Sequence, residues 1–204
     1  MKIQKFVFGT LFKLLGAAIL ILKVNFVAAG VVEQVDFEAQ PYVSLKNGEV
    51  DGCGFRLLAA KVNLSKVSKP LGIDVSFNVY ANGLGLVKGG LRELDLKNAK
   101  DTQAIPIKTF WIKAKNVKAT HPVGSVVSKG VNPKNYLIYA SDIENLISLF
   151  PAVYDKEALM VGYRLVGEDI DRIFNGKLKV EDAEVKQVME CMDELIKNME
   201  KSTK

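Results

Sequence analysis

The chain has 204 residues and a net charge of +5; 49% of it is hydrophobic and 25% charged, with two cysteines and one histidine. That length suits one domain with a proper core, and the balance of apolar and charged residues excludes a disordered tail, a collagen and a multi-span membrane protein. One histidine and two cysteines are too few soft ligands for a zinc finger or an iron–sulfur centre, so neither a metal nor another cofactor is expected.

Residues 1–29 read as a secretory signal peptide. Lys2, Lys5 and Lys13 form a positive start without an acid, Leu14 to Leu22 is a short apolar run, and Val27-Ala28-Ala29 supplies small residues for cleavage after Ala29. A bilayer span needs roughly 20 apolar residues, and Lys13 and Lys23 bound a run half that long. Contact with a membrane is therefore expected only if this segment stays attached. It carries four lysines and no acid, so the chain from residue 30 onward holds only +1. The surplus positive charge belongs to the address and does not indicate nucleic-acid binding.

The expected mature unit, 30–204, is a single α+β domain: an antiparallel β-rich sheet, a short mid-chain helix and a C-terminal amphipathic helix packed on the sheet. Residues 30 to about 62 read as strands around an Asn47-Gly48 hairpin turn. Cys53, Phe55, Leu57 and Ala59 share one face there, and Gly52 and Gly54 suggest a bulge or a close backbone approach. Ser65 to Gly72, with Pro70, reads as a connection. Ile73, Val75, Phe77, Val79 and Ala81 then alternate with polar residues as a half-buried strand, and Leu84 to Leu96 returns after Asn82-Gly83. Phe110 to Val117 is a further strand, and His121 to Asn135 a long loop with Pro122, Gly124, Gly130 and Pro133 as breakers. Tyr136 to Ala140 reads as a buried strand. Ser141 to Glu144 fits a capping box for a helix that Pro151 stops near Phe150. Ala158 to Val166 is a strand, Asn175-Gly176 a turn, and Asp182 to about Glu200 a helix with an apolar stripe through Val185, Val188, Met189, Met192, Leu195, Ile196 and Met199.

Cys53 and Cys191, on the same two core-facing elements, are expected to pair as a structural disulfide in an oxidising compartment. The protein is accordingly expected to be periplasmic or secreted. The glycines from Gly83 to Gly90 lack the spacing of a phosphate loop and follow a turn where such a loop precedes a helix, which leaves them structural.

Charge is segregated along the mature chain. Residues 102–141 carry +6 without one acid, and residues 142–204 carry −5. On a strand over 110–117, Trp111, Lys113 and Lys115 share a face, with Lys118 close behind. An exposed indole beside lysines suits an anionic envelope component or an acidic protein. The expected function is therefore that of an exported, non-catalytic binding or envelope-associated protein recognising an anionic ligand through Trp111, Lys113, Lys115 and Lys118. Two other readings stay open. A periplasmic hydrolase would use His121 or the carboxylates of Glu168, Asp169 and Asp171. A carrier of a small apolar ligand would line a cavity between sheet and helix with Met160, Met189, Met192 and Met199.

Overall fold

The computed structural model describes residues 31–62, 69–95, 102–123, 127–129 and 136–202. The signal-peptide reading of residues 1–29, the connection over 65–68 and most of the loop over 124–135 lie outside these residues. Ten strands form one sheet. They are β1 (Val31–Lys46), β2 (Glu49–Lys61), β3 (Leu71–Tyr80), β4 (Gly85–Glu93), β5 (Gln103–Ile105), β6 (Ile107–Ala114), β7 (Val127–Lys129), β8 (Leu137–Ser141), β9 (Ala158–Leu165) and β10 (Arg172–Lys179). The helices are α1 (Ile143–Ile147), α2 (Phe150–Tyr154) and α3 (Asp182–Ser202). The domain is α+β, as the pattern predicts.

The spatial order is β6-β9-β10-β1-β2-β3-β4-β8-β7, and β5 takes the half of the β4 edge that β8 leaves open. Among the described residues only β1 and β10 run parallel. Pro106 alone separates β5, on β4, from β6, on β9. The chain thus steps from one end of the sheet to the other and nearly closes it. Proline suits the step because it has no N–H to offer either ladder, while its carbonyl accepts from Val166 N–H at 3.2 Å.

Side chains close the remaining seam between β6 and β8. Thr120 N–H donates to Ile112 O at 2.9 Å, and Ile112 N–H donates to Thr120 Oγ1 at 2.9 Å. Tyr139 donates its phenol proton to Phe110 O at 3.2 Å, which leaves the Thr120 hydroxyl to donate to Tyr139 Oη at 2.8 Å. The inner face holds the core, with Phe37, Phe55, Phe77, Phe110, Tyr163 and Phe174 all buried. Phe150 of α2 packs edge-on against Phe77, and Val188, Cys191 and Leu195 of α3 are buried in the same cluster. Cys53 and Cys191 are bonded, with their Cα atoms 5.9 Å apart, and pin α3 to β2.

Several expectations are corrected. Asn47 and Gly48 take the hairpin turn with φ of 56° and 86°, but Asn175 and Gly176 lie inside β10, paired with Gln34 and Val35. Glycine is needed there because a Cβ would come within 2.2 Å of Val35 O. Ser141 continues β8 opposite Gly85, so Asp142 becomes the helix cap and its carboxylate accepts from Glu144 N–H at 2.9 Å. Pro151 opens α2, where no N–H is required, instead of ending α1. The strand expected over 110–117 starts at Ile107 and ends at Ala114, since Asn116 turns the chain with φ 64°. The 121–135 loop contains β7, paired with β8. On α3, Met189 and Ile196 are about half exposed, so the apolar stripe is wider than the contact it makes.

Candidate functional site

The structure places the four residues expected to bind an anion on β6 and the turn that follows it. Trp111 and Lys113 lie half-buried on the outer face of β6, whereas Lys115 and Lys118 are exposed on the turn beyond it. Trp111 is not an exposed platform. Its indole covers Gly162, where a Cβ would sit 2.2 Å from Cε2, and its Nε1–H donates to Asp171 Oδ2 at 2.8 Å. Asp171 also accepts from Arg164 Nε at 2.8 Å.

Glu168 is held by Arg172 at 2.6 Å, Asp169 lies in an exposed turn, and both line a shallow hollow of about 450 Å³ with Glu33. His121 is exposed, with Nδ1 3.4 Å from Ala119 O. Met160 sits beside Lys113 on the outer face, away from Met192 and Met199, which pack on the core. Among the described residues no trio of His, Cys, Asp or Glu is placed to hold a metal ion, and no helix is long and apolar enough to cross a membrane.

A denser constellation lies on the outer face of β2, β3, β4 and β8. Alternation sends Arg56, Asp74, Ser76, Asn78, Tyr80, Lys88 and Arg92 to this face, opposite the core residues between them. Arg56 grips Asp74 with two bonds, Nε to Oδ1 at 2.9 Å and Nη2 to Oδ2 at 2.7 Å. Tyr136 donates to Asp74 Oδ2 at 2.8 Å and accepts from Arg92 Nη2. Lys88 Nζ stands 4.0 Å from the centre of the Tyr136 ring, and the Arg92 guanidinium 4.9 Å from it, distances at which a cation is attracted to the aromatic face.

This wall divides a groove into two hollows. One, of about 430 Å³, is lined by Tyr42, Ser76, Asn78, Tyr80, Leu86 and Lys88. The other, of about 450 Å³, has Leu58, Ala60, Gly72 and Leu94 on its floor, and Glu38 and the Asp36–Lys179 ion pair on its far rim. Arg56 and Asp74 belong to both. Six strands from β10 to β8 contribute, a width of about 24 Å at the usual strand spacing.

Glycine makes the first hollow possible. A Cβ on Gly52 would meet the Tyr80 ring at 2.6 Å, and one on Gly54 would meet Asn78 Oδ1 at 2.5 Å, so both side chains settle onto bare backbone. The close approach suggested by these glycines is therefore made by residues of β3. Ser76 and Asn78 are 6% and 4% exposed, linked at 3.4 Å, and Asn78 Oδ1 has no hydrogen-bond partner among the described residues. Arg92 Nε is likewise buried and unpartnered. A buried polar atom left without a partner is costly.

Electrostatics at the wall favour anions. Burial pushes the Asp74 carboxyl up, but hydrogen bonds from Arg56 and Tyr136 and the charges of Arg56 and Lys88 outweigh it and hold the group below the usual aspartate value. Burial and the bond to Asp74 raise the Tyr136 phenol, and burial and the contact with Tyr42 raise Tyr80, so both stay neutral donors. Three cations surround one carboxylate at the wall, a local surplus of positive charge.

Fold and groove together define a disulfide-stapled α+β domain with a ligand-sized polar groove on its outer sheet face. No protein-family model, no curated protein and no solved structure matches the chain.

Proposed function

We propose that the protein is an exported, non-catalytic binding protein that holds an anionic ligand in the outer-face groove, on Arg56, Arg92 and Lys88. The observation that carries this reading is the clustering of three cations around Asp74 and Tyr136, with Arg56 on the carboxylate and Lys88 and Arg92 against the ring. Donors there outnumber acceptors, and a ligand carboxylate or phosphate supplies the missing ones. The disulfide fits an oxidising compartment, as does the leader pattern of residues 1–29. The groove replaces the Trp111 face as the binding surface because Trp111 has already committed its ring to Gly162 and its N–H to Asp171.

Calorimetric titration with tripolyphosphate at low ionic strength tests the reading. Wild-type protein is expected to bind, and an Arg56→Gln/Arg92→Gln variant to lose at least about tenfold in affinity, with added salt weakening both. Equal binding by the variant would remove the groove as an anion site. Export is tested by cell fractionation, with a mature chain starting at Gly30 expected outside the cytosol.

A further inference from the structure

We infer that the groove takes an acidic oligosaccharide: a chain of hydroxylated rings bearing carboxylates, laid across the strands. This rests on the anion reading above and names the rest of the ligand. The cations account for negative charge alone. The hollow beside them asks for something different, because its lining carries the Ser76 hydroxyl, the Asn78 amide and the phenols of Tyr42 and Tyr80, neutral groups that can both donate and accept. A bare carboxylate brings only acceptors to these groups, whereas a sugar hydroxyl both donates and accepts.

The four groups stand within one hollow. The Tyr80 ring, backed by Gly52, offers an apolar surface for the C–H face of a pyranose. Carboxylates on adjoining rings reach Arg56, Lys88 and Arg92. The groove also continues past the Arg56–Asp74 wall into the second hollow, which favours an extended chain over a single small acid. An acidic peptide carries donors and charges too, but extended peptides are recognised chiefly through free strand edges. Here the backbone groups of β2, β3 and β4 are already consumed in their ladders.

The test compares tetragalacturonate, tetraglutamate and tripolyphosphate by calorimetry on wild type and on Asn78→Ala, with circular dichroism verifying the fold. Tetragalacturonate is expected to bind tightest, and Asn78→Ala to weaken it about tenfold or more while leaving tripolyphosphate unchanged. Should Asn78→Ala misfold, Tyr42→Ala at the rim serves the same comparison. Equal affinities for all three probes, or equal losses in the variant, would overturn the sugar inference and leave the anion groove standing. Tetraglutamate binding tightest would make the ligand an acidic peptide and overturn it too. Failure of all three probes to bind would remove both this inference and the reading beneath it.

Discussion

Cys53 in β2 and Cys191 in α3 are separated by 138 residues and joined by a disulfide, and the Cys53 side chain lies in the same inward row as Phe55 and Leu57. The link closes residues 53–191 into one loop and ties the helix to the strand that also carries Arg56. Replacing both cysteines with alanine is expected to lower unfolding free energy by about 2–5 kcal/mol, because a long loop regains its freedom in the unfolded chain. Urea titration of the two proteins measures it. An unchanged midpoint would mean that α3 holds its place through Val188 and Leu195 alone.

Alkaline pH should loosen the seam. Burial pushes the Tyr139 phenol up to about 12, against a weaker opposing effect of the hydrogen bond from Thr120, and burial raises Tyr163 as well. A phenol whose pKa is raised by folding contributes fully below its unfolded value of 10 and loses that contribution as pH climbs toward its folded value. Stability is therefore expected to hold up to about pH 10 and then to fall, by about 1.4 kcal/mol per pH unit for each of the two buried tyrosines, with Tyr80 and Tyr136, also raised by folding, adding to the slope. Tyr139→Phe is expected to take about 1.4 kcal/mol per pH unit off that slope, and denaturation followed across the window reads it directly.

The strands were legible in the sequence wherever alternation and turn chemistry agreed. Asn47-Gly48 makes the hairpin, and the apolar residues of β3 all face inward. The misreadings share a physical cause, a local signal overruled by a partner far along the chain. Gly176 answers to Val35 and Ser141 to Gly85, so neither position obeys its own neighbourhood. The groove was hidden for the same reason. Asp74, Ser76, Asn78 and Tyr80 read as the wet face of a strand, yet Ser76 and Asn78 are buried because Gly54 and Gly52 on β2 leave room for Asn78 and Tyr80 to lie down. Two glycines flanking a cysteine in a strand were the available clue. The lysines at 113, 115 and 118 stand out in the sequence by charge, and charge carries no information about concavity.

Asp74→Asn separates the groove's structural and binding roles by sign. The substitution removes the charge that Arg56 grips and is expected to cost about 1–2 kcal/mol, held below the figure for a fully buried pair because the Arg56 side chain is 46% exposed. It also lifts the net positive charge at the wall, so tripolyphosphate should bind more tightly to the variant than to wild type. The pH profile follows from the lowered carboxyl. The wild-type contribution is present above the unfolded aspartate value and fades as pH drops through the lower folded one, a fade that the variant should lack. Weaker binding by Asp74→Asn would mean that the carboxylate positions Arg56 for the ligand more than it repels the ligand.

Gly162→Ala probes the face that charge alone singled out. The added methyl would lie 2.2 Å from Trp111 Cε2, and the obstacle is a side chain, so the indole is expected to swing away and release Asp171 Oδ2. Trp111 is the sole tryptophan, so its fluorescence reports the movement without interference. A red-shifted emission with a loss of about 1.5–3 kcal/mol is expected, the worth of a hydrogen bond to a charged acceptor. Tetragalacturonate binding should be unchanged, because Trp111, Gly162 and Asp171 line neither hollow of the groove. A variant that loses sugar affinity while keeping the fold would return Trp111 and Lys113 to the binding surface.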